Sequence, residues 1–480
     1  MNAMLKKIIL VILFIFVSGS IAVAAVGWYT YKKGTLQTFV IQKAVSQLIP
    51  ESVDKAMIQK VLGFDTPRTY LVLFLNNTEI RPGGGFIGSY AVVRIERGVP
   101  HIIKVDGTEI IDNYAPDAYL KPPAVLEKYL FIKKMQFRDS NWSPDFPTAA
   151  STSLALYRLE RGVAGAEIDG VIAFTPTVIE ELLKITGPLE LEGEQYTSKN
   201  FTEKLEYEVE YGFAKKGVAF RDRKQTLDAL SQVALGKVRS TLLGNWSDYK
   251  QLVPRLLEER HIMVYATDPT EERFLRSLGW AGDMKTTPSD YLLWVDANLG
   301  ALKTDVSIER NLTYTIAPSG TAYIGSATMR FKHKGSFDWR TTRYRDYVRV
   351  YVPLGSTLIE ATGVMKGDKD ARPGEVAQGI ENGRQWFGGF ISIEPGKSWE
   401  LTFRYKLAPA VVASIHDNSY QLFVQKQLGT LANRLTLRLG FDTKVTAAEP
   451  SEKPEQFGDR FYDYEGDLRV DKLFKIQFTQ

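Results

Sequence analysis

The stretch TYLVLFLNNTEIRPGGGFIGSYAVVRIERG, residues 69–98, places two β-type runs on either side of three consecutive glycines. Two residues are enough to join antiparallel strands, so the third glycine and the preceding Arg81 and Pro82 need another reason. A glycine-rich loop lets backbone N–H groups approach a ligand closely, and an arginine can form paired hydrogen bonds with a phosphate. The alternative is a tight turn in which only glycine fits. The residues leave both interpretations open.

Strand and helix patterns alternate around this loop up to about residue 285. PHIIKVDG (100–107) and IDGVIAFT (168–175) are bounded by glycine or proline, as is typical of strands. The segments 147–162 and 176–187 each carry proline near the start and glycine at the end, which predicts helices. This alternation predicts an α/β layered domain over residues 65–285.

The pattern changes to short β runs from Tyr291 onward. KTDVSIERNLTYTI (303–316), DYVRVYVPLG (346–355) and SWELTFRYKLA (398–408) are separated by turn residues. Such spacing predicts an all-β, immunoglobulin-like sandwich over residues 286–445. Residues 446–480 are predicted to form a polar linker and a short C-terminal tail strand.

The N-terminus contains 22 uncharged residues, Ile8 to Tyr29, between two pairs of lysines. At 1.5 Å per residue a helix of this length spans roughly 33 Å, enough to cross a bilayer core. We therefore predict a cytoplasmic tail and transmembrane anchor in residues 1–34 and a juxtamembrane helical segment in 35–64. The expected location is the cell membrane, with one span and the bulk of the chain outside the cytoplasm. A cleaved signal peptide, with AVA at 22–24 as its cleavage site, is the alternative.

Composition excludes several function classes. A net charge of +4 over 480 residues does not indicate a nucleic-acid partner. The absence of cysteine removes thiol catalysis and cysteine-bound metal, and four scattered histidines give no support to a histidine triad or the usual zinc spacing.

Four motifs resemble the bacterial domain-of-unknown-function family 4012. They are NNTEIRPGGGFIGSY, RDSNWSPDFPTAA at 138–150, EIDGVIAFTPTVIEELLKITGPLEL at 167–191 and DANLGALKTDVSIERNLTYTI at 296–316. The resemblance runs in order over about residues 65–320. It implies an architecture, because the function of that family is unassigned.

A weaker resemblance is to the LytR–CpsA–Psr family, whose members are anchored by one helix and transfer glycopolymers from polyprenyl-pyrophosphate carriers. Arg81 falls at the arginine of that family's first motif, and Asp106 falls near its second aspartate. RDRKQ (221–225) is similar to its basic helix, although Val105 and Val218 stand where that family has charged residues.

This resemblance implies roles for particular residues. Arg81 and Asp106 would be catalytic, and Asp106 could hold a magnesium ion, the one cofactor considered. The resemblance also makes Arg81, Arg221, Arg223, Lys224 and Gln225 candidates for ligand binding. The glycine-rich loop adds Gly83, Gly84 and Gly85, and the loop RDSNWSPDFP adds Arg138 and Asp139.

The loop RDSNWSPDFP, which supplies Arg138 and Asp139, has two interpretations of its own. Its charged and aromatic residues could line a pocket for a sugar or a lipid chain. Alternatively, the loop folds its aromatic side chains onto the core while Asp145 caps the next helix.

Two functions follow from the sequence. In the first, a membrane-anchored envelope protein binds or transfers lipid-linked glycopolymers, as a phosphotransferase if it is an enzyme. In the second, it is a non-catalytic binding, adhesion or structural protein of the envelope.

Overall fold

The computed structural model describes residues 54–116, 120–219, 225–241, 244–300 and 302–479. The predicted anchor, residues 1–34, lies outside them. Within the described ranges, we find no helix that is both long and apolar enough to span a bilayer. The first described helix, Lys55–Val61, falls within the segment predicted to be helical and begins at Asp54, whose carboxylate accepts hydrogen bonds from the backbone N–H groups of Ala56 and Met57.

The first half of the chain is built around a five-stranded sheet. Its strand order is β3–β2–β1–β4–β7, and β1 pairs antiparallel with β2 and parallel with β4. The remaining two strands form a separate hairpin. The strands are β1 (Arg68–Asn76), β2 (Phe86–Glu96), β3 (Val99–Gly107), β4 (Ile168–Phe174), β5 (Leu189–Leu191), β6 (Glu194–Tyr196) and β7 (Ile262–Ala266).

Helices cover both faces of this sheet. The helix α4 has Asp145 as its N-cap, whose carboxylate accepts a 3.1 Å hydrogen bond from the N–H of Thr148. A π-helical turn, Glu208–Gly212, joins α6 to α7. The helices are α1 (Lys55–Val61), α2 (Thr108–Ile111), α3 (Ala124–Leu130), α4 (Phe146–Leu159), α5 (Pro176–Thr186), α6 (Phe201–Tyr207), α7 (Phe213–Lys215), α8 (Gln225–Thr241), α9 (Trp246–Glu258), α10 (Pro269–Ser277) and α11 (Pro409–His416).

The central strand β1 is apolar from Tyr70 to Leu75 because it contributes to a core on each face of the sheet. Tyr70 and Val72 pack in the core beneath α5 and α9, whereas Leu71 and Leu73 pack in the core beneath α4. Successive side chains of a strand point to opposite faces, so a strand covered on both sides reads as a continuous apolar run. This confirms the predicted α/β layering.

The second half of the chain is rich in β structure, as predicted. A seven-stranded sheet has the order β15–β16–β11–β8–β18–β22–β20, and a six-stranded sheet has the order β12–β17–β10–β9–β19–β21. The strands are β8 (Asp290–Val295), β9 (Ile308–Ser319), β10 (Ala322–His333), β11 (Tyr344–Pro353), β12 (Thr357–Thr362), β13 (Met365–Gly367), β14 (Asp370–Pro373), β15 (Ala377–Glu381), β16 (Arg384–Ile393), β17 (Ser398–Lys406), β18 (Ser419–Gln425), β19 (Asn433–Gly440), β20 (Val445–Glu449), β21 (Phe461–Leu468) and β22 (Lys472–Phe478).

The two large sheets share one apolar core. Trp294 and Val350 enter it from the seven-stranded sheet, and Tyr314 and Phe403 enter it from the six-stranded sheet. The segment 446–480 forms part of these sheets, because it supplies β21, β22 and most of β20.

The glycine-rich loop after β1 joins the two halves. The N–H of Asn298 donates to the carbonyl of Ile80 at 3.0 Å, and the N–H of Ile80 donates to the Asp305 carboxylate at 3.0 Å. Gln427 donates from its side-chain amide to the carbonyls of Arg81 and Asp296, at 3.3 and 2.8 Å. The loop therefore has several of its hydrogen-bond partners in the β-rich half of the chain.

The closest backbone contact at this junction is between Gly84 and Gly429. Gly429 has a φ of +72°, and a Cβ atom built on it would lie 2.0 Å from the carbonyl oxygen of Gly84. Glycine is required here both by the left-handed backbone and by the proximity of the opposing chain.

We expect Gly429→Ala to destabilise the protein by about 3 kcal/mol or more, because the left-handed strain and the steric overlap add. Gly320→Ala is the matched control, since Gly320 has a φ of +63° but nothing within 4 Å of its Cβ position. It should cost only about 1–2 kcal/mol. Urea unfolding of the full-length chain measures both. Equal losses would contradict the proposed contact.

Candidate functional site

An apolar cavity of about 230 Å³ lies between the five-stranded sheet and its helices. The aromatic rings of Phe74, Phe86 and Phe174 line it from the sheet side, and Phe201 and Leu230 line it from α6 and α8. The floor is thus formed by side chains at the ends of β1 and β4, where both strands leave the sheet. We call this the first cavity.

A second apolar cavity, of about 180 Å³, adjoins the first along the same face of the sheet. Val72 and Val93 line it from the sheet, and Leu182, Val238 and Leu256 line it from the helices. The two cavities have five lining residues in common: Phe74, Phe174, Ile179, Ser231 and Ala234. The two cavities are therefore adjacent, and the small residues Ser231 and Ala234 of α8 lie between them.

Charged side chains line the first cavity but are missing from the lining of the second. Arg138 and Lys303 supply positive charge, and Glu109, Glu206 and Glu210 supply negative charge. The first cavity is therefore the end at which a polar group of a ligand would lie. We call these five residues the mouth.

Lys303 reaches the mouth from the segment that connects the two halves of the chain. Its ammonium lies 3.1 Å from the Glu79 carboxylate and 3.7 Å from that of Glu210. Burial opposes its charge, but Glu79 and Glu210 outweigh burial and raise the pKa of Lys303. Lys303 is thus a fixed positive charge.

Two buried carboxyl groups hold Arg138 in place. Arg138 donates from Nε to the Asp112 carboxylate and from its backbone N–H to the same group at 3.4 Å. Glu160 is fully buried and accepts a 2.9 Å hydrogen bond from the N–H of Phe137. Burial and the adjacent Asp112 raise the pKa of Glu160 to about 8, and burial also raises the pKa of Asp112 in spite of Arg138. Burial and their mutual repulsion therefore favour retention of a proton by the carboxyl pair Glu160 and Asp112.

Arg81 is buried and paired within the chain, whereas an arginine that binds a ligand needs N–H groups that the ligand can reach. It is 5% exposed, donates to the Glu79 carboxylate at 3.0 Å, and donates to the carbonyl of Asn298 in the linking segment. Its guanidinium also lies 5.4 Å from the centre of the Phe86 ring. These contacts within the chain account for a buried cation without any ligand.

The three glycines pack against neighbouring backbone. The N–H of Gly83 donates to the carbonyl of Asn141 at 2.9 Å, and Asn141 donates from its amide to the carbonyl of Gly85 at 2.6 Å. A Cβ atom on Gly85 would lie 2.6 Å from the Asn76 carbonyl group. Gly84 meets Gly429 as described above. The geometry is that of a tight, buried turn, and whether these residues also bind a ligand stays a prediction.

Asp106 is paired within its own strand. Its carboxylate lies 2.9 Å from the Lys104 ammonium and accepts a 2.9 Å hydrogen bond from the N–H of Gly107. A magnesium site needs several oxygen ligands in a near-octahedral arrangement. In the part of the chain that the structure describes, no group of three or more acidic, histidine or cysteine residues could hold a metal ion. Whether Asp106 binds a magnesium ion together with water or phosphate oxygens stays a prediction.

The structure brings some of the predicted ligand-binding residues together. Asp139 is buried near both Arg81 and Arg138, and burial raises its pKa to about 6 although both cations oppose the rise. Of the predicted residues that are described, Arg138 is the one that lines either cavity. Arg221, Arg223 and Lys224 lie outside the described residues, as does the side chain of Gln225.

Sequence reasoning missed Lys303 and Glu160. Lys303 stands in the motif DANLGALKTD, which served only to support the family resemblance. Glu160 follows Ser153 and Leu156 at helical spacing, and all three are buried. That spacing indicates an acidic side chain on the buried face of α4.

Comparison with known proteins identifies part of the chain. Residues 65–209 match the family described as "Protein of unknown function (DUF4012)". The DUF4012 match contains the glycine-rich loop, Arg138, Glu160 and most of the sheet, whereas Lys303 lies beyond its end. No curated protein matches this chain.

Solved structures offer only distant likenesses. A putative nutrient binding protein from Legionella pneumophila is 6% identical, with a TM-score of 0.24, over 39% of this chain and 71% of its own. Leukotriene A4 hydrolase from Saccharomyces cerevisiae is 9% identical, with a TM-score of 0.21, over 36% of this chain and 29% of its own. An M1 zinc metallopeptidase from Deinococcus radiodurans is 10% identical, with a TM-score of 0.17, over 35% and 42%.

The raised pKa of Glu160 has a consequence for stability. Between its ordinary value of 4.5 and about 8, the folded protein retains a proton that the unfolded chain releases. Stability should therefore fall as the pH rises through this window. Glu160→Gln, which cannot ionise, should lose less stability than the wild type between pH 5 and pH 8.

Thermal unfolding of the full-length chain across this pH range is the measurement. Glu400→Gln, which changes a half-exposed carboxyl in a surface ion pair, is the matched control and should follow the wild type. Parallel curves for wild type and Glu160→Gln would show that Glu160 does not carry the proton.

Proposed function

We propose that this protein is a membrane-anchored envelope protein that binds a polyprenyl-(pyro)phosphate-linked glycopolymer outside the cytoplasm. The observation that carries the proposal is the pair of adjacent apolar cavities over the five-stranded sheet, with Arg138 and Lys303 in the lining of the first. In this proposal the α/β domain is LytR–CpsA–Psr-like, the β-rich half is an immunoglobulin-like sandwich, and residues 1–34 form the anchor.

The lining of the two cavities supports a hydrocarbon ligand. Apart from Ser231, the residues that line the second cavity are apolar. Transfer of a lipid chain from water into such a space gains about 25 cal/mol for each Å² of apolar surface that is buried. An isoprenoid chain is flexible enough to extend past Ser231 and Ala234 from one cavity into the other. Its branched methyl groups would pack against Phe74 and Phe174, which line both cavities.

The mouth supports an anionic head group. Arg138 offers a planar guanidinium and Lys303 a compact ammonium, the two groups that bind phosphate most often in proteins. The mouth has two cations and three carboxylates, so its net charge does not attract an anion, and binding of a phosphate would depend on direct hydrogen bonds from Arg138 and Lys303.

Binding without transfer is the form of the proposal that the site geometry favours. The two residues proposed as catalytic are engaged elsewhere, Arg81 with Glu79 and Asn298, and Asp106 with Lys104. Arg138 and Lys303 bind charge but do not supply a nucleophile or a general base. The proposed function therefore takes the binding of a lipid-linked glycopolymer from the first function predicted from the sequence. It takes the non-catalytic role from the second.

A bulky side chain between the two cavities tests whether the lipid chain extends from the first cavity into the second. Ala234→Phe should fill the junction between the cavities and prevent a polyprenyl phosphate with a terminal diazirine from cross-linking to the second cavity. In the wild type, the cross-links should map to residues around Leu235 and Val238 by peptide mass spectrometry.

Gln232→Phe places the same side chain on the exposed face of the same helix and is the matched control. It should cross-link as the wild type does. Absence of saturable cross-linking in the wild type would overturn the lipid-binding proposal and leave the adhesive or structural function.

Removal of the Arg138 guanidinium tests whether the mouth binds the phosphate of the ligand. Arg138→Met keeps an apolar stem and should weaken polyprenyl phosphate binding by about tenfold to a hundredfold, since a hydrogen bond to a charged group contributes roughly 1.5–3 kcal/mol. Affinity for the uncharged polyprenol should not change.

Arg404→Met, at a half-exposed arginine in a surface ion pair, is the control. Equal losses for the phosphate and the alcohol in Arg138→Met would mean that Arg138 supports the fold rather than the head group.

A further inference from the structure

Three aromatic rings lie together beside the mouth. The ring centres of Tyr207 and Tyr211 are 6.0 Å apart, and those of Tyr207 and Trp339 are 5.4 Å apart. The Tyr211 and Trp339 ring centres are 5.8 Å apart, and the Trp339 ring is nearly perpendicular to both tyrosines. We call Tyr207, Tyr211 and Trp339 the aromatic cluster.

The two halves of the chain both contribute to this cluster. Tyr207 ends α6 and Tyr211 lies in the π-helical turn that follows, whereas Trp339 comes from the loop between β10 and β11. Isolated π-helical turns inside helices are rare and are frequent at functional sites. Here the turn places two tyrosines four residues apart with their ring planes only 31° from each other.

The cluster adjoins the mouth through residues next to it in the chain. Glu206, which lines the first cavity, accepts a 2.7 Å hydrogen bond from Nε of Arg340. Glu206 precedes Tyr207 and Arg340 follows Trp339. On the other side, Glu210 lies at the mouth with Lys303 and precedes Tyr211.

The cluster is partly open to solvent. Tyr211 is 44% exposed, whereas Tyr207 and Trp339 are half-buried. Rings that served only to pack a loop onto a helix would gain more by being buried. Exposed aromatic surface next to a ligand cavity indicates a further contact for the ligand.

We propose that the aromatic cluster binds a pyranose ring of the glycan carried by the lipid ligand. This inference rests on the proposed function, since it assigns the part of the ligand that follows the phosphates. One face of a pyranose presents C–H groups, which pack against aromatic rings, while its hydroxyl groups need donors and acceptors at the edge.

The groups around the cluster suit an uncharged, hydroxyl-rich ligand. Arg340 pairs with Glu203 and Glu206. Lys215 donates to the Tyr207 hydroxyl, so a ligand hydroxyl would join or replace these contacts. Both signs of charge are thus present around the rings. A strongly acidic or basic partner would meet repulsion from one set or the other.

The test compares two synthetic ligands on the full-length chain. One is a polyprenyl pyrophosphate, and the other is the same lipid with a single N-acetylglucosamine on its terminal phosphate. Tyr211→Ala and Trp339→Ala should weaken binding of the glycosylated lipid by about fivefold to tenfold and leave the sugar-free lipid unchanged. Tyr211→Phe should retain most of the affinity, because it keeps the ring.

Phe457→Ala removes a half-exposed aromatic ring elsewhere and should change neither affinity. Equal weakening of both lipids by Tyr211→Ala, or of neither, would overturn the inference, because the cluster would then act on the fold or not at all.

A sugar ligand that has no lipid distinguishes failure of the lipid-binding proposal from failure of the sugar-binding inference. Saturation-transfer NMR with a water-soluble N-acetylglucosamine oligosaccharide should show sugar signals in the wild type that disappear in Tyr211→Ala. If neither lipid binds but this signal is present, the cluster binds sugar and the cavity assignment is wrong. If the wild type gives no signal and does not distinguish the two lipids, the aromatic cluster is not a sugar site.

Discussion

The buried guanidinium of Arg81 is the contact on which the arrangement of the two halves depends. A cation that is 5% exposed is stable only if its donors are paired, and its partners here are Glu79 on its own loop and the Asn298 carbonyl of the linking segment. The adjoining backbone exchanges hydrogen bonds with Asn298 and Asp305. Because Lys303 lies between those two residues, the same junction sets the position of one of the two cations at the mouth.

Much of the fold could be predicted from the chain itself. β1 and β4 have apolar runs bounded by turn residues, and α4 and α5 have proline at the start and glycine after the end, so local patterns agree with the final structure. The strands of segment 446–480 were harder to predict. β21 carries the sequence FYDYEGDL, with acidic residues and glycine, and it becomes a strand because β19 supplies its hydrogen-bond partners.

The candidate site could be predicted only in part, for physical reasons. Arg138 was found because an arginine in a proline-containing loop with other polar residues is a candidate for lining a pocket. Arg81 carries the same signal, but its burial is decided by contacts with residues more than 200 positions away, which no local pattern reports. The two apolar cavities could not be predicted, because Phe74 and Phe174 occupy positions in their strands that are typical of core residues. A cavity differs from a core only in what the opposing side chains leave unfilled.

The contact between Gly84 and Gly429 also constrains the order of events during biosynthesis. Gln427, beside that contact, donates to the carbonyl of Arg81 across 346 residues of chain. At a synthesis rate of 5–20 residues per second, the glycine-rich loop exists for roughly 20–70 s before its partner does. During that interval the guanidinium and the backbone around it are hydrated by water. The loop between β1 and β2 is therefore made well before the segment that completes its final environment.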